Sequence, residues 1–175
     1  MTFLDLARRR YSSRAYRPDP VPDDLLATVL EAGRIAPTAA NKQPFRIIVV
    51  RTPGREAELR RIYDRDWFVQ APIVLCVCAI PAEAWRRTMY DGRSHADVDA
   101  AIVMDHLVLA AADVGLGTCW IAAFDPAAAR EVLATPDEAE PRLFTPLGFP
   151  ADTPDASPRH VQRKPLEELV RYDRW

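Results

Sequence analysis

At 175 residues, with 49% hydrophobic and 27% charged side chains, the chain has ordinary globular composition, long enough for one domain (1–175) with a sizeable core, which excludes disorder. A net charge of -2 and a pI near 5.9 give no electrostatic case for a nucleic-acid partner. The opening "MTFLDLARRR" lacks the apolar run of a signal peptide, and no later stretch has the length of a membrane span, so a cytoplasmic protein with no membrane partner is expected.

Thr2 and Asp5 form a T-x-x-D signature that starts a helix at Phe3, and Arg8, Arg9 and Arg10 suit its C-terminal end. A second helix follows Pro22, with Leu25, Leu26, Val29, Leu30 and Gly33 on one face, and is expected to end near Ala36, before Pro37. The β-branched run at 45–51 predicts a buried strand. Thr52 and Pro53 then read as the N-cap and first residue of a third helix. "IVLCVCA" at 73–79 is a second buried strand. Its cysteines, Cys76 and Cys78, and Cys119 further on are an odd set without C-x-x-C spacing, expected as buried free thiols in a reducing compartment.

From Val98 to Val114 the helical pattern is apolar around most of its circumference, with Asp99, His106 and Asp113 recurring every seventh position. Such a helix belongs in a core or against a second subunit. Gly115 is its C′ glycine, "TCWIAAF" at 118–124 reads as a strand, and Asp125–Pro126 opens another helix. "RLFTPLG" at 142–148 is a last strand containing Pro146, and Pro165 opens a terminal helix, "LEELVRY". The fold class is α/β or α+β, rich in helix.

Two segments carry candidate chemistry. In "RRRYSSRAYRP", Arg10, Ser12 and Arg14 recur at every second position, a set suited to a phosphate and equally compatible with a solvated basic helix end. Arg163 and Lys164 form a second basic pair near the other end of the chain. In "PTAANKQP", the amides of Asn41 and Gln43 can read a heterocycle edge and Thr38 can cap or touch a ligand, while an ordinary turn accounts for the same residues. "GLGTCWIAAF" contains G-x-G outside the strand-to-helix context of a dinucleotide fingerprint, so its glycines read as structural. His95, Asp97, Asp99 and His106 match no recognised metal spacing, and a polar helix start with Ser94 as a cap explains them; no metal is expected.

Taken together, these motifs resemble the FMN-dependent nitroreductase superfamily over nearly the whole chain, in order. "RRRYSSRAYRPDPVP" is similar to its opening arginine-x-serine-x-arginine segment. "EAGRIAPTAANKQPFRIIVV" is similar to its helix, proline-serine-x-x-asparagine-x-glutamine-proline loop and strand. "AAADVGLGTCWIAAF" resembles its central helix and turn, and "LGFP" with "RKPLEELV" its closing segment. Thr38 stands where the family usually has serine and Phe45 where it often has tryptophan.

The resemblance implies an α+β fold, a mixed sheet wrapped by helices in an intertwined homodimer with FMN at the interface. It places Arg10, Ser12 and Arg14, with neighbouring Tyr11, and Arg163, with adjacent Lys164, around the FMN phosphate and ribityl chain. Pro37, Thr38, Ala39, Asn41 and Gln43 would line the flavin, donated by the partner subunit. The backbone at Ile121, Ala122 and Ala123 would face its reactive edge. It further implies an NADH- or NADPH-dependent oxidoreductase acting on an electron-poor acceptor, with no catalytic side chain and the redox chemistry on flavin N5. A flavin-dependent oxidase or dehydrogenase and a non-catalytic FMN-binding protein are the competing expectations.

Overall fold

The computed structural model describes residues 1–156, 159 and 161–175. Its centre is β2 (Ile73–Ala79), paired antiparallel with β1 (Phe45–Arg51) on one side and β4 (Glu140–Gly148) on the other. A two-residue β3 (Gly117–Thr118) extends the sheet beyond β4, in the order β1-β2-β4-β3. The four strands are antiparallel, and the mixed pairing comes from a parallel bridge between Ser12 and Thr118.

Both faces of the sheet are covered, which explains why β2 is an unbroken apolar run rather than an alternating one. Ile73, Leu75 and Val77 face a core shared with α2 (Asp23–Arg34) and α5 (Ala96–Asp113). Val74, Cys76 and Cys78 face the opposite core, built with α3 (Glu56–Ile62), α4 (Asp66–Gln70) and α6 (Pro126–Leu133). Each fully buried Leu or Val in these layers stabilises the fold by about 1.5–3 kcal/mol. All three cysteines are buried and unpaired.

At Gly33, α2 packs directly against side chains of α5 and β1. A Cβ there would lie 2.8 Å from Leu107 Cδ2 and 2.9 Å from Ile47 Cδ1.

Several expected boundaries hold. Thr2 and Asp5 form a reciprocal capping box on α1 (Phe3–Arg9), α2 ends at Arg34, and Asp125 caps α6 by accepting from Ala127 and Ala128 N–H. Gly115 takes φ +81° after α5, which begins two residues earlier than its apolar pattern suggested.

Others move for physical reasons. Thr52 does not cap a helix: it is buried, its carbonyl accepts from Arg55 N–H at 2.8 Å, and the chain turns through Gly54 before α3 starts at Glu56. The strand expected over 118–124 stops at Thr118. The next residue, Cys119, falls opposite Pro146, which has no N–H to donate to the Cys119 carbonyl, and Cys119 N–H donates to Thr145 Oγ1 at 3.0 Å. Pro146 itself lies inside a continuous β4. The terminal helix α7 spans only Leu166–Leu169. Among the described residues, no helix is long and apolar enough to cross a membrane.

Candidate active site

The site has three parts, strung along α5. The first is a basic cradle at the C-terminal end of that helix. Arg9 closes α1 onto α5 by donating to the terminal carbonyls of Ala112 and, at 2.9 Å, Asp113. From Arg10 the chain is extended, and Ser13 N–H donates to Thr118 O at 2.9 Å, laying residues 10–14 along β3. The approach is close because Gly117 lacks a side chain: a Cβ there would sit 3.0 Å from that of Ser13.

Asp152, just past β4, fixes the segment from the other side. Its carboxylate accepts from Arg14 N–H at 2.7 Å, from Ser13 Oγ, and from the Tyr11 hydroxyl at 3.1 Å; that hydroxyl also lies 2.8 Å from Asp152 O. Burial, then the Asp152 carboxylate, pushes the Tyr11 phenol up to about 12.

These constraints turn Arg10, Tyr11, Ser12 and Arg14 into a cavity of about 130 Å³ completed by Pro154, Arg159 and Arg163. The two ends of the chain therefore meet. None of the described lining residues is acidic. Burial, and then the neighbouring charge of Arg163, lowers the pKa of the Arg10 guanidinium, so an anion entering the cavity would relieve a real repulsion. Arg159 escaped sequence reasoning, although a basic residue four positions before Arg163 was a signal of the same kind. Its carbonyl accepts from Arg163 Nη1 at 2.8 Å. Lys164 stands outside the cavity lining, 3.7 Å from Glu168. Burial raises the Cys119 thiol, against the opposing pull of Arg14, Ser12 and Arg10 beneath the same cradle.

The second part is the loop from Pro37 to Pro44, at the N-terminal end of α5. Ala40, Asn41 and Gln43 all lie in the left-handed region, with φ of 50°, 53° and 50°. Each such non-glycine residue costs on the order of 1–2 kcal/mol, least for asparagine. Thr38 Oγ1 accepts from Gln43 N–H at 3.0 Å, and Gln43 Nε2 donates to Asn41 Oδ1 at 3.2 Å. Ala39 N–H donates to the buried carboxylate of Asp99 at 2.9 Å.

The third part is the segment after β3. Ile121 exchanges two 2.9 Å hydrogen bonds with Phe144, which anchors it. Ala122 and Ala123 are exposed, and among the described residues their N–H groups donate to no partner. Trp120 closes an apolar concavity of about 550 Å³ on the outward face of α5, with Val98, Ala101, Ile102, Asp97 and Asp105.

His95, Asp97 and His106 are engaged separately: His95 packs edge-on against Trp85, Asp97 faces Arg142 at 2.9 Å, and His106 Nδ1 lies 2.9 Å from Ile102 O.

The chain matches the model of the nitroreductase family over residues 7–67 and 55–149. The chain belongs to the nitroreductase family. A protein of Thermus thermophilus described as an NADH dehydrogenase is 32% identical over 94% of this chain and 92% of its own length. A solved nitroreductase family protein from Clostridium difficile 630 is 36% identical, with a TM-score of 0.88 and full coverage of both chains. A solved oxidoreductase containing FMN shares the fold at 21% identity and a TM-score of 0.80, over 97% of this chain and 91% of that one. In this family member the arginine cradle and the proline-bounded loop lie at opposite ends of α5.

Proposed function

We propose that this chain is an FMN-dependent NAD(P)H oxidoreductase, folded as a single domain over 1–175 and working as a homodimer. The observation that carries the proposal is the arginine-lined cavity assembled from both ends of the chain, with no acidic group in its described lining. Arg10, Ser12, Arg14 and Arg163, joined by Arg159, would hold the FMN phosphate; Tyr11 supports them through Asp152, and Lys164 borders the site. Pro37, Thr38, Ala39, Asn41 and Gln43 would form one wall for the flavin ring. Ala122 and Ala123, next to Ile121, would offer N–H groups to its reactive edge.

FMN held there would supply the redox chemistry, a ping-pong hydride transfer through N5 between NADH or NADPH and an electron-poor acceptor such as a nitroaromatic, quinone or enone. The chain's own residues bind, orient and exclude water. No side chain is assigned as an acid or base.

The separation of loop and cradle supports the dimer. Asp99, against the loop, and Asp113, against the cradle, are 14 positions apart on one helix, roughly 21 Å at 1.5 Å per residue. A second copy bringing its loop to this copy's cradle would complete one pocket. The outward face of α5, with Val98 and Trp120 exposed, and the exposed Leu166, Leu169, Tyr172 and Trp175 of the C-terminal segment suit burial against that copy.

An anaerobic visible spectrum of the protein with FMN, before and after NADH and then NADPH, tests this reading. Bleaching of a bound flavin by either donor is the expected result. A bound flavin that neither donor bleaches would move the assignment to an oxidase or a non-catalytic FMN-binding protein. Failure to bind FMN would remove it altogether.

A further inference from the structure

The loop at 37–44 presents a physical problem that its own residues do not solve. Three of its four residues from Ala40 to Gln43 are non-glycine residues at positive φ, a conformation that persists only where surroundings impose it. The hydrogen bonds between Thr38, Asn41 and Gln43 are internal to the loop and move with it. Pro37 and Pro44 restrict its ends without fixing its middle.

One described hydrogen bond from a side chain of the body of the protein reaches the middle of the loop. Asp99 lies in the first turn of α5 and is 1% exposed, and its Oδ1 accepts from Ala39 N–H at 2.9 Å across 60 residues of sequence. Ala39 is the first residue of the short 3₁₀ turn, immediately before left-handed Ala40. The other oxygen, Oδ2, is buried without a hydrogen-bond partner among the described residues. A buried carboxylate with half its acceptor capacity unused is an expensive residue where Ala, Leu or Ile would pack without cost. Neighbouring Ala96, Ala100, Val103 and Met104 show what this stretch of helix otherwise carries.

We infer that Asp99 is a positioning residue for the flavin site: its carboxylate holds the Ala39 amide and thereby sets the left-handed course of the loop that walls the flavin. The inference rests on the proposed FMN function, because it assigns the loop's shape to that pocket. It accounts for the polar stripe of α5, which recurs every seventh residue, at the position where polarity is least affordable. The other members of the stripe have different surroundings: His106 is satisfied by its own helix, and Asp113 lies at the exposed helix end.

The test is a double-mutant cycle on FMN affinity, read by flavin fluorescence, with Asp99→Ala and Ala39→Pro as the single variants. Thr38 before it is already extended (φ -131°, ψ 157°), as a residue preceding proline must be, and proline at position 39 deletes the N–H that Asp99 accepts while turning its Cδ toward that carboxylate, a contact that Asp99→Ala relieves in the double variant. Each single variant is expected to weaken FMN binding about tenfold, and the double variant no more than either alone. Asp99→Asn, which keeps one acceptor oxygen for Ala39, is expected to stay within about threefold of the parent.

Additive losses in the cycle would overturn the inference, as would Asp99→Asn losing as much as Asp99→Ala. If Asp99→Ala does not fold, Ala39→Pro decides: unchanged affinity overturns the inference. Wild-type protein that fails to bind FMN would instead overturn the function proposed above, so the two failures are distinguishable.

Discussion

The cradle and the loop solve the same task, presenting groups to a ligand, by opposite means. The cradle is a tertiary product: Arg10 and Arg163 lie at opposite ends of the chain and meet only because Ser12 bridges to β3 and Asp152 folds back over residues 11–14. Its working force is charge, gathered where burial and neighbouring guanidiniums already disfavour it. The loop is local, six residues between two prolines, and its working force is backbone geometry. Electrostatic sites respond to charge removal and salt, whereas geometric ones respond to backbone freedom.

That contrast breaks most sharply at the arginines. Replacing Arg10 and Arg14 together with Ala should weaken FMN binding by about 100-fold or more, on the basis of about 1.5–3 kcal/mol for each hydrogen bond to a charged group. Riboflavin, which lacks the phosphate, should lose far less. Fluorescence titration with both ligands checks this, and equal losses would place the phosphate elsewhere.

A smaller effect is expected where the cradle is braced. Tyr11→Phe removes the hydroxyl that reaches Asp152 and should cost about 1 kcal/mol in denaturant unfolding at neutral pH. The folded phenol is raised to about 12 from its ordinary 10, so the fold retains a proton that the unfolded chain loses first. The Tyr11 share of stability is therefore fully present below pH 10 and is lost as the pH rises toward 12. The gap between parent and Tyr11→Phe should close over that window; a gap that widened would contradict the hydrogen bond.

The loop should give the smallest change, and of the opposite sign. Ala40→Gly relieves a left-handed alanine and should leave thermal stability unchanged or raise it by up to about 1 kcal/mol, while weakening FMN binding a few-fold as the loop loosens. A gain in both would mean that the loop's rigidity does not serve the ligand.

These differences also mark what the sequence made legible. The capping box at Thr2, the strands at 45–51 and 73–79, the Asp125 cap and the proline-bounded loop are local signals, and each stands where its pattern put it. The reach of 118–124 was not legible, because the strand is ended by Pro146 on its neighbour rather than by anything in its own residues. Thr52–Pro53 carried every local mark of a helix start, yet burial of Thr52 and the turn at Gly54 move the start to Glu56. The meeting of Arg10 with Arg163 depends on contacts that no spacing encodes, whereas Arg159 offered the same basic signal as Arg163 four positions before it. Asp99 was visible as a polar stripe on an apolar helix, but its partner, an alanine amide 60 residues away, was not.

Gly33 carries a consequence for how this protein can change over evolutionary time. The loop begins four residues after this glycine and enters β1, whose Ile47, with Leu107 of α5, occupies the space a side chain at position 33 would need. Alanine there would force the ends of the Ile47 and Leu107 side chains to shift, and a bulkier residue would press on the three elements that frame the loop. In a survey of every substitution scored by turnover, a glycine in the packed interior would therefore rank with the ligand-facing positions, and lineages exploring new acceptors would find it among the last places free to vary.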